Sequence, residues 1–453
     1  MRNGAWTKIA CLASAIQAKH ENQDLMRKRG HMHPAPLLAL AGMAALASTA
    51  LAQQPRPDVP PGPVEPALPY SPSAAAAAQS GPAQTGGIAL KLMGALVTVH
   101  PSIKVDLRHD DNLYLAPNNR ASDQILVLTP ALSLEARQAN NTFGLRLSMT
   151  LGQYQKNTAD NYSSYNIGAV ADLDLGTRLR ANLSADYLDG IDPRGSTNNP
   201  LSPTPDHYHQ VQGRSIFSYG ARGAKGRIDL ELGQLRRNYY NNRAITAAED
   251  RIVDDIGATF NWRIEPKTTL LVQGKHSRVD YTLSSSTLGS VENSLLAGAM
   301  WEASAKTKVA FRIGMVKKDF DDAARASSTN LSWTGEVDWS PRTYSHVALS
   351  LNRAPAETTG GVGNFIDRTN TGLRWTHDWS SRFTTATSAA YATDAYQGAA
   401  RTDNTQSYGI NANFKMRRWL SFGGDYAHSK RRSDDGNFDY QRNVFMLFLN
   451  AAL

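Results

Sequence analysis

The sequence has almost no cysteine and no long hydrophobic run outside its N-terminal region. Cys11 is the single cysteine among its 453 residues, so the fold needs no disulfides. No stretch of about 20 apolar residues follows the N-terminal region, which excludes helical membrane spans from the body of the chain. Strands that cross a membrane are not excluded, because they alternate apolar and polar residues and have the mean hydropathy of a soluble protein.

An excess of charge of one sign is also lacking. The chain has 48 Lys and Arg against 40 Asp and Glu, for a formal net charge of +8. Six of the basic and two of the acidic residues precede Gln53, which leaves about +4 for the remainder. A mild positive charge spread along the chain predicts no nucleic-acid partner.

The N-terminal region has the features of an export signal. It contains a basic run at 27–29, an apolar run at 37–47 and a small-x-small cleavage site at 50–52. We therefore predict an N-terminal extension and signal peptide over residues 1–52. Met26 directly precedes the basic run, so the true start is either Met1 or Met26.

A linker and one large domain follow the predicted signal. Residues 53–96 are dominated by Pro, Ala, Gln and Gly, and such a segment cannot bury enough apolar surface to fold. We predict a disordered periplasmic linker over 53–96 and a single domain over 97–453.

The predicted domain has the period-2 alternation of half-buried strands. Phe143, Leu145 and Leu147 alternate with Arg146 and Ser148, and about 18 segments have the same pattern. About 20 residues per strand and connection is usual for a bacterial outer-membrane barrel. The pattern predicts an all-β fold, a transmembrane antiparallel up-and-down β-barrel of about 18 strands.

The connections between these segments alternate between short and long. The short ones are predicted near 140–141, 176–177, 225–226, 266–267, 306, 341–342, 380–381 and 417–418. The long ones are predicted at about 109–122, 155–162, 189–208, 241–250, 281–290, 320–327, 354–364, 394–403 and 429–438. Outer-membrane barrels have short periplasmic turns and long external loops, so the alternation places the N-terminus in the periplasm.

Tryptophan and tyrosine residues lie near different kinds of connection. Six tryptophans lie near short connections, namely Trp262, Trp301, Trp339, Trp375, Trp379 and Trp419. Twelve tyrosines lie near or in long ones: Tyr154, Tyr162, Tyr165, Tyr187, Tyr208, Tyr239, Tyr240, Tyr281, Tyr391, Tyr396, Tyr426 and Tyr440. Amphipathic rings collect at the two membrane interfaces, so two girdles are predicted, one rich in Trp and one rich in Tyr.

The polar positions of the strands face the lumen if the apolar positions face lipid. The basic candidates for lining a pore are Lys104, Arg108, Arg137, Arg146, Arg178, Arg180, Arg214, Lys275, Arg312 and Arg374. Acidic residues alternate with them, so the lining is either a selective hydrated path or a wall of salt bridges. An 18-strand interior is too wide for side chains alone to fill, so water or an inserted loop must occupy it.

No metal, cofactor or catalytic motif is found in the sequence. The acidic pairs at 110–111, 321–322 and 434–435 lack a twelve-residue calcium loop. His207 and His209 lack a third ligand at a recognisable spacing. Hydrolase and phosphate-loop motifs are missing. We therefore predict neither a metal site nor a cofactor, and no enzyme.

The first three predicted strands resemble a known family. Asp110-Asp111-Asn112, Ser122-Asp123, Pro130 and Arg194-Gly195 are similar to motifs of the putative β-barrel porin 2 family. This resemblance implies an outer-membrane barrel of exopolysaccharide biosynthesis operons that works with periplasmic or inner-membrane export proteins. Because Asp and Asn can cap backbone groups where a strand turns, we expect a structural role for Asp110, Asp111 and Asn112.

Three hypotheses about function follow. The first is a pore in the outer membrane of a Gram-negative bacterium that exports a secreted polysaccharide. The second is a general or solute-specific diffusion porin. The third is an outer-membrane barrel enzyme, since Ser, His and Asp in separate loops can converge into a site. The expected partners are outer-membrane lipid and lipopolysaccharide, the polysaccharide cargo and the export proteins.

Overall fold

The computed structural model describes residues 87–92 and 95–453, nearly all of them in strands and the loops that join them. The predicted signal peptide and most of the predicted linker lie outside the described residues. The strands are β1 Ile88–Leu92, β2 Ala95–Asp110, β3 Asp123–Gln138, β4 Asn141–Tyr154, β5 Tyr162–Asp174, β6 Leu179–Asp192, β7 Asp206–Tyr219, β8 Gly226–Tyr239, β9 Arg251–Glu265, β10 Thr268–Tyr281, β11 Ser290–Ser304, β12 Thr307–Phe320, β13 Ser328–Arg342, β14 Ser345–Ala356, β15 Phe365–Asp378, β16 Phe383–Gln397, β17 Arg401–Arg417, β18 Leu420–Ser433 and β19 Tyr440–Ala452.

Strands β2 to β19 form a closed antiparallel barrel. Each strand pairs with the next along the chain, and β19 pairs with β2 to close the sheet. The predicted barrel of 18 strands is therefore confirmed. With a strand spacing near 4.8 Å and the usual tilt, such a barrel is about 35 Å across between backbones.

The short strand β1 was not predicted. It falls in the range assigned to the linker, and it pairs with the first part of β2, from Ile88 opposite Val99 to Leu92 opposite Ala95. β19 ends where Ala452 pairs with Ser102. β1 therefore continues the position of β19 along the edge of β2, which would otherwise lack a partner there.

The side chains alternate between two faces of the barrel wall. In β10, Leu270 and Val272 are exposed on the outer face, whereas Leu271 is buried on the inner face. Gln273 and Lys275, two and four positions after Leu271, line the interior. Exposed large apolar side chains recur on the outer face of nearly every strand, which is the apolar band expected of a barrel in lipid.

The connections are short at one end of the barrel and mostly long at the other. The short turns are 139–140, 175–178, 220–225, 266–267, 305–306, 343–344, 379–382 and 418–419. The opposite end carries 111–122, 155–161, 193–205, 240–250, 282–289, 321–327, 357–364, 398–400 and 434–439. The prediction of a long loop at 394–403 was wrong, because β16 and β17 extend to a connection of three residues there.

The six tryptophans of the predicted girdle are found on the surface at the short-turn end, whereas the tyrosine girdle was wrong for five of its twelve members. All six predicted tryptophans are exposed near short turns. Five of the twelve tyrosines are instead buried, namely Tyr162, Tyr208, Tyr239, Tyr396 and Tyr440. They lie at inward-facing strand positions at the long-loop end, where folded loops exclude water. No helix in the described residues is long and apolar enough to cross a membrane.

Candidate functional site

A large cavity occupies the lumen of the barrel. Its volume is about 1410 Å³, and it begins at the short turns, where Arg222 and Lys267 line it. It extends past mid-height to Ser277, Glu292 and Arg442. No residue of the loops 193–205, 240–250 or 357–364 lines this cavity, so it ends beneath them.

The two sides of the cavity differ in chemistry. The wall formed by β14 to β18 carries small and neutral side chains, which are Ser350, Asn352, Asn370, Gly372, Ser388, Ala390, Thr405, Ser407, Gly409 and Ser429. The wall formed by β6 to β13 carries most of the charge, in Arg180, Arg227, Glu231, Arg263, Lys275, Glu292, Arg312 and Glu336. The small side chains leave space, and the charged wall supplies an electric field across that space.

Four of these eight charged residues form ion pairs, namely Arg227, Glu231, Lys275 and Glu292. Arg214 lies 2.8 Å from Glu231, and Lys275 lies 3.2 Å from Asp255. Each pair joins neighbouring strands and is partly exposed to the cavity. Glu231 and Lys275 also line the cavity, so one member of each pair both bridges strands and faces the lumen.

The structure places nine of the ten predicted basic residues on inward-facing strand positions. Arg180, Lys275 and Arg312 line the cavity itself. Lys104 and Arg108 both contact Asp106, at 2.9 and 3.0 Å, in a part of the interior where side chains fill the space. The other inward-facing ones are Arg137, Arg146, Arg214 and Arg374. Arg178 is different, because it lies exposed in the short turn 175–178.

Loops from nearly opposite sides of the barrel meet above the cavity. We call the loops 193–205, 240–250 and 357–364 the loop cover. The backbone N–H of Asn198 donates to Thr359 Oγ1 at 3.1 Å, and the Asn198 amide donates to the Tyr396 hydroxyl at 3.1 Å. The N–H of Gly360 donates to Glu249 Oε1 at 3.1 Å. Six strands separate β7 from β14 on one side of the barrel and eight separate β15 from β6 on the other, so these contacts span the lumen.

One loop of the cover is anchored to the barrel wall by a buried lysine. The Lys318 side chain is fully buried, and its Nζ lies 2.6 Å from Glu292 Oε1 and 2.7 Å from Glu357 Oε1. Glu357 Oε2 accepts a hydrogen bond of 2.6 Å from the Tyr281 hydroxyl. Glu357 is the first residue of the loop 357–364, so these contacts fix the base of the loop. Its tip contains Gly360 at φ +64°, a conformation that favours glycine.

Arg194 and Gly195 of the family motif meet Tyr114 and Asp160, which are far from them in sequence, in the loops. Arg194 donates to both carboxylate oxygens of Asp160, at 2.7 and 2.6 Å, and also to the Tyr114 hydroxyl. Tyr114 donates to Asp160 at 2.8 Å, and burial together with this hydrogen bond raises the pKa of Tyr114 to about 12. Gly195 has φ +80°, and a Cβ there would lie 2.1 Å from the Tyr114 carbonyl oxygen. The arrangement joins three loops by contacts that leave no room for a larger residue.

Asp110, Asp111 and Asn112 of the motif lie at the seam where β2 pairs with β19 to close the barrel. Arg442 Nε on β19 donates its N–H to both carboxylate oxygens of Asp110 on β2, each at 3.0 Å. Asp111 accepts from the backbone N–H and side chain of Asn443, at 2.7 and 2.6 Å. The N–H of Asn112 donates to Asp110 at 3.0 Å. Asp110 therefore caps a backbone N–H, as expected. Asp110 and Asp111 also join β2 to β19, and no local sequence pattern indicates these contacts.

The remaining motif residues lie at β3. Asp123 accepts hydrogen bonds from the backbone of Lys156 and Asn157, the shortest at 2.7 Å. Ser122 precedes Asp123 in the loop 111–122. Pro130 lies in a gap of the ladder between β3 and β4, since proline has no N–H to donate.

The comparison with known proteins decides the family. The model of the family described as putative beta-barrel porin 2 matches residues 95–453. The chain belongs to this family. No curated protein matches it. It is thus an outer-membrane porin-like barrel, in keeping with the closed sheet and its apolar outer band.

Solved structures of other outer-membrane barrels are similar in outline to this family member. Pseudomonas aeruginosa OpdO is 13% identical with a TM-score of 0.46, over 79% of this chain and 97% of that one. Pseudomonas aeruginosa OpdL is 12% identical with a TM-score of 0.44, over 79% and 98%. The FrpB iron transporter from Neisseria meningitidis is 12% identical with a TM-score of 0.42, over 74% of this chain. The barrel spans 62% of the FrpB chain.

The histidines considered as metal ligands belong to an aromatic stack on the outer face. His209 stacks on Tyr240 with ring centroids 4.5 Å apart, and its Nδ1 lies 2.9 Å from the Tyr187 hydroxyl. His207 contacts the same Tyr240 ring at 5.5 Å. No group of three or more His, Cys, Asp or Glu suited to a metal ion occurs in the described part of the barrel.

The acidic pairs in the loops contact an arginine of a neighbouring hairpin and nearby backbone groups. Asp321 accepts two hydrogen bonds from Arg278, at 2.8 and 2.6 Å. Asp322 accepts from the N–H of Ala324 at 2.9 Å, and Asp435 from the N–H of Asn437 at 3.1 Å. The contacts of Asp322 and Asp435 stabilise the loop backbone in the way that Asp side chains commonly do in turns, whereas Arg278 joins Asp321 to β10.

Proposed function

We propose that this barrel is a gated outer-membrane conduit through which a secreted polysaccharide leaves the cell, with the short turns in the periplasm and the long loops outside. The observation that carries the proposal is the loop cover, which meets across the lumen above an otherwise open cavity. A path of this kind passes its cargo only when the cover moves.

The hydrogen bonds that hold the loop cover closed are weak enough for the cover to open. Two hydrogen bonds of 3.1 Å join loops of the cover to each other, and a third of 3.1 Å joins Asn198 to Tyr396 on β16. Each contributes about 0.5–1.5 kcal/mol net, so together they favour the closed arrangement by a few kcal/mol. The base of the loop 357–364 is held far more firmly by Lys318. The tips can therefore separate while the base stays in place.

The side chains that line the lumen support the proposal of a carbohydrate cargo. Serine, threonine and asparagine on the β14 to β18 wall present hydroxyl and amide groups that match sugar hydroxyls in both donor and acceptor capacity. The family resemblance to barrels of exopolysaccharide operons points to the same cargo. A solute-specific diffusion porin is the second candidate, and the cluster of Arg180, Arg227 and Arg263 on the opposite wall favours it for an anionic solute.

Deletion of the gene separates the two candidates. Loss of surface polysaccharide with unchanged uptake of small solutes is expected, and normal surface polysaccharide would refute the export function. Channel recordings test the gate. Purified wild-type protein should conduct rarely, whereas the double change Asn198→Ala and Thr359→Ala should raise the open fraction by one to two powers of ten. Asn118→Ala, in an exposed part of another loop, is the control and should conduct as the wild type does.

A further inference from the structure

A groove of about 470 Å³ lies on the outer face of the barrel, across β17, β18, β19 and β2. Its floor is formed by Gly424 and Ala412, which are register partners in β18 and β17. Leu447 and Leu107 continue the same row across β19 and β2. Large apolar side chains cover most of the outer face elsewhere, so two small ones side by side leave a slot in the apolar band.

The glycine in the floor is not required by the backbone. A Cβ added to Gly424 would meet Leu447 and the Met446 carbonyl oxygen at 3.5 Å, which is ordinary contact, and its φ is not in the left-handed region. Glycine inside a strand weakens that strand and often marks the close approach of a ligand. The role of glycine at position 424 is therefore to leave space in the groove, where any other residue would place a side chain.

Polar groups follow the groove toward the long loops. In the next row the rings of Tyr426 and Phe445 lie 4.8 Å apart. Alternate residues of a strand share a face, so His428, Lys430 and Arg432 follow Tyr426 on the outer side of β18. Neither Lys430 nor Arg432 forms an ion pair with a carboxylate among the residues that the structure describes.

We propose that the groove and these basic residues form a binding site for one phosphorylated, acylated lipid of the outer leaflet. An acyl chain lies over Gly424, the aromatic pair lies at the level of the lipid backbone, and a phosphate contacts Lys430 and Arg432. Lys430 is six positions after Gly424, which is about 20 Å along the strand at 3.3 Å per residue. That distance matches an acyl chain followed by a headgroup. The site shares with the proposed function only the orientation of the barrel.

Native mass spectrometry of the purified full-length barrel with bisphosphorylated lipid A as the probe tests the site. The wild type is expected to retain one lipid molecule. The double change Lys430→Gln and Arg432→Gln should weaken binding at least tenfold, and Gly424→Leu should do so by filling the groove. Two matched controls should bind as the wild type does. Arg236→Gln removes an exposed outward cation of β8, and Gly213→Leu adds a side chain at an outward position of β7 that has open space around it.

The outcomes separate a specific lipid site from non-specific adsorption and from a site for free anions. Dephosphorylated lipid A should bind at least tenfold more weakly than the bisphosphorylated probe. Equal binding by Gly424→Leu and the wild type would overturn the proposal, as would an equal loss in Arg236→Gln. Displacement of the lipid by millimolar inorganic phosphate would show a free-anion site and overturn it as well. The Lys430 and Arg432 changes lie on the barrel surface, so they test the site even if Gly424→Leu does not fold.

Discussion

Replacing Lys318 with methionine should open the barrel. Lys318 is fully buried and contacts Glu292 at 2.6 Å and Glu357 at 2.7 Å. Lys318→Met keeps the aliphatic stem and removes the charge, so the partly buried carboxylates of Glu292 and Glu357 lose the cation between them. Removing one partner of a buried ion pair commonly costs about 3–5 kcal/mol.

The position of Glu357 decides where that cost appears. Glu292 lies within β11 and cannot leave the wall, whereas Glu357 begins the loop 357–364. The folded barrel lowers its free energy by letting Glu357 turn toward water, and the loop moves with it. We therefore expect most of the 3–5 kcal/mol to shift the closed arrangement toward the open one, by two to three powers of ten.

Single-channel recording of the purified barrel measures this shift as the open fraction, and urea unfolding followed by tryptophan fluorescence measures the remaining loss of stability. Lys317→Met is the matched control, because Lys317 is the adjacent lysine, exposed on the outer face and paired with Asp319. It should leave both quantities unchanged. If Lys318→Met matches Lys317→Met in both assays, the role of the buried lysine as the anchor of the cover is refuted.

Three further predictions concern the loops and the closing seam. Burial raises the pKa of Glu249 above its ordinary 4.5, so protonation of Glu249 stabilises the closed cover. This stabilisation is complete below pH 4.5 and is lost as the pH rises through the raised pKa. The open fraction in channel recordings should therefore fall on acidification, and Glu249→Gln should abolish that pH dependence. Gly195→Ala places a Cβ 2.1 Å from a backbone oxygen at φ +80°. In urea unfolding it should lower the free energy of unfolding by more than the roughly 1–3 kcal/mol that backbone strain alone costs. The control Gly361→Ala, at φ +69° in open space, should lower it by only about 1 kcal/mol. Asp110→Asn weakens the contact with Arg442 across the seam and should lower the free energy of unfolding by about 1.5–3 kcal/mol; an unchanged urea midpoint would show that the seam does not depend on this pair.

Much of the barrel could be predicted from the sequence because its physics is local. Each strand has lipid on one face and a polar interior on the other, so its side chains alternate with period 2. The prediction placed all 18 strands and the short turns, and it placed nine of the ten basic residues on the inner face. Arg178 was misplaced by one residue, because the polar pattern continues into the turn before Leu179.

The loop cover could not be predicted, because its residues are far apart in the chain. Asn198 meets Thr359, and Gly360 meets Glu249, only after the closed sheet has brought distant hairpins around one lumen. The glycines at 360, 361 and 363 were the one local signal of an unusual loop. Tyr208 and Tyr239 looked like members of a girdle, yet the folded loops bury them.

The sequence by itself determined that the chain forms a barrel, where its strands lie and which face of each meets lipid, since these depend on neighbours two residues apart. Only the tertiary structure decided that the lumen is covered, which lysine anchors the cover and where a slot opens in the apolar band. Closure of the sheet sets which strands and loops face each other, and the contacts between them follow from that geometry alone.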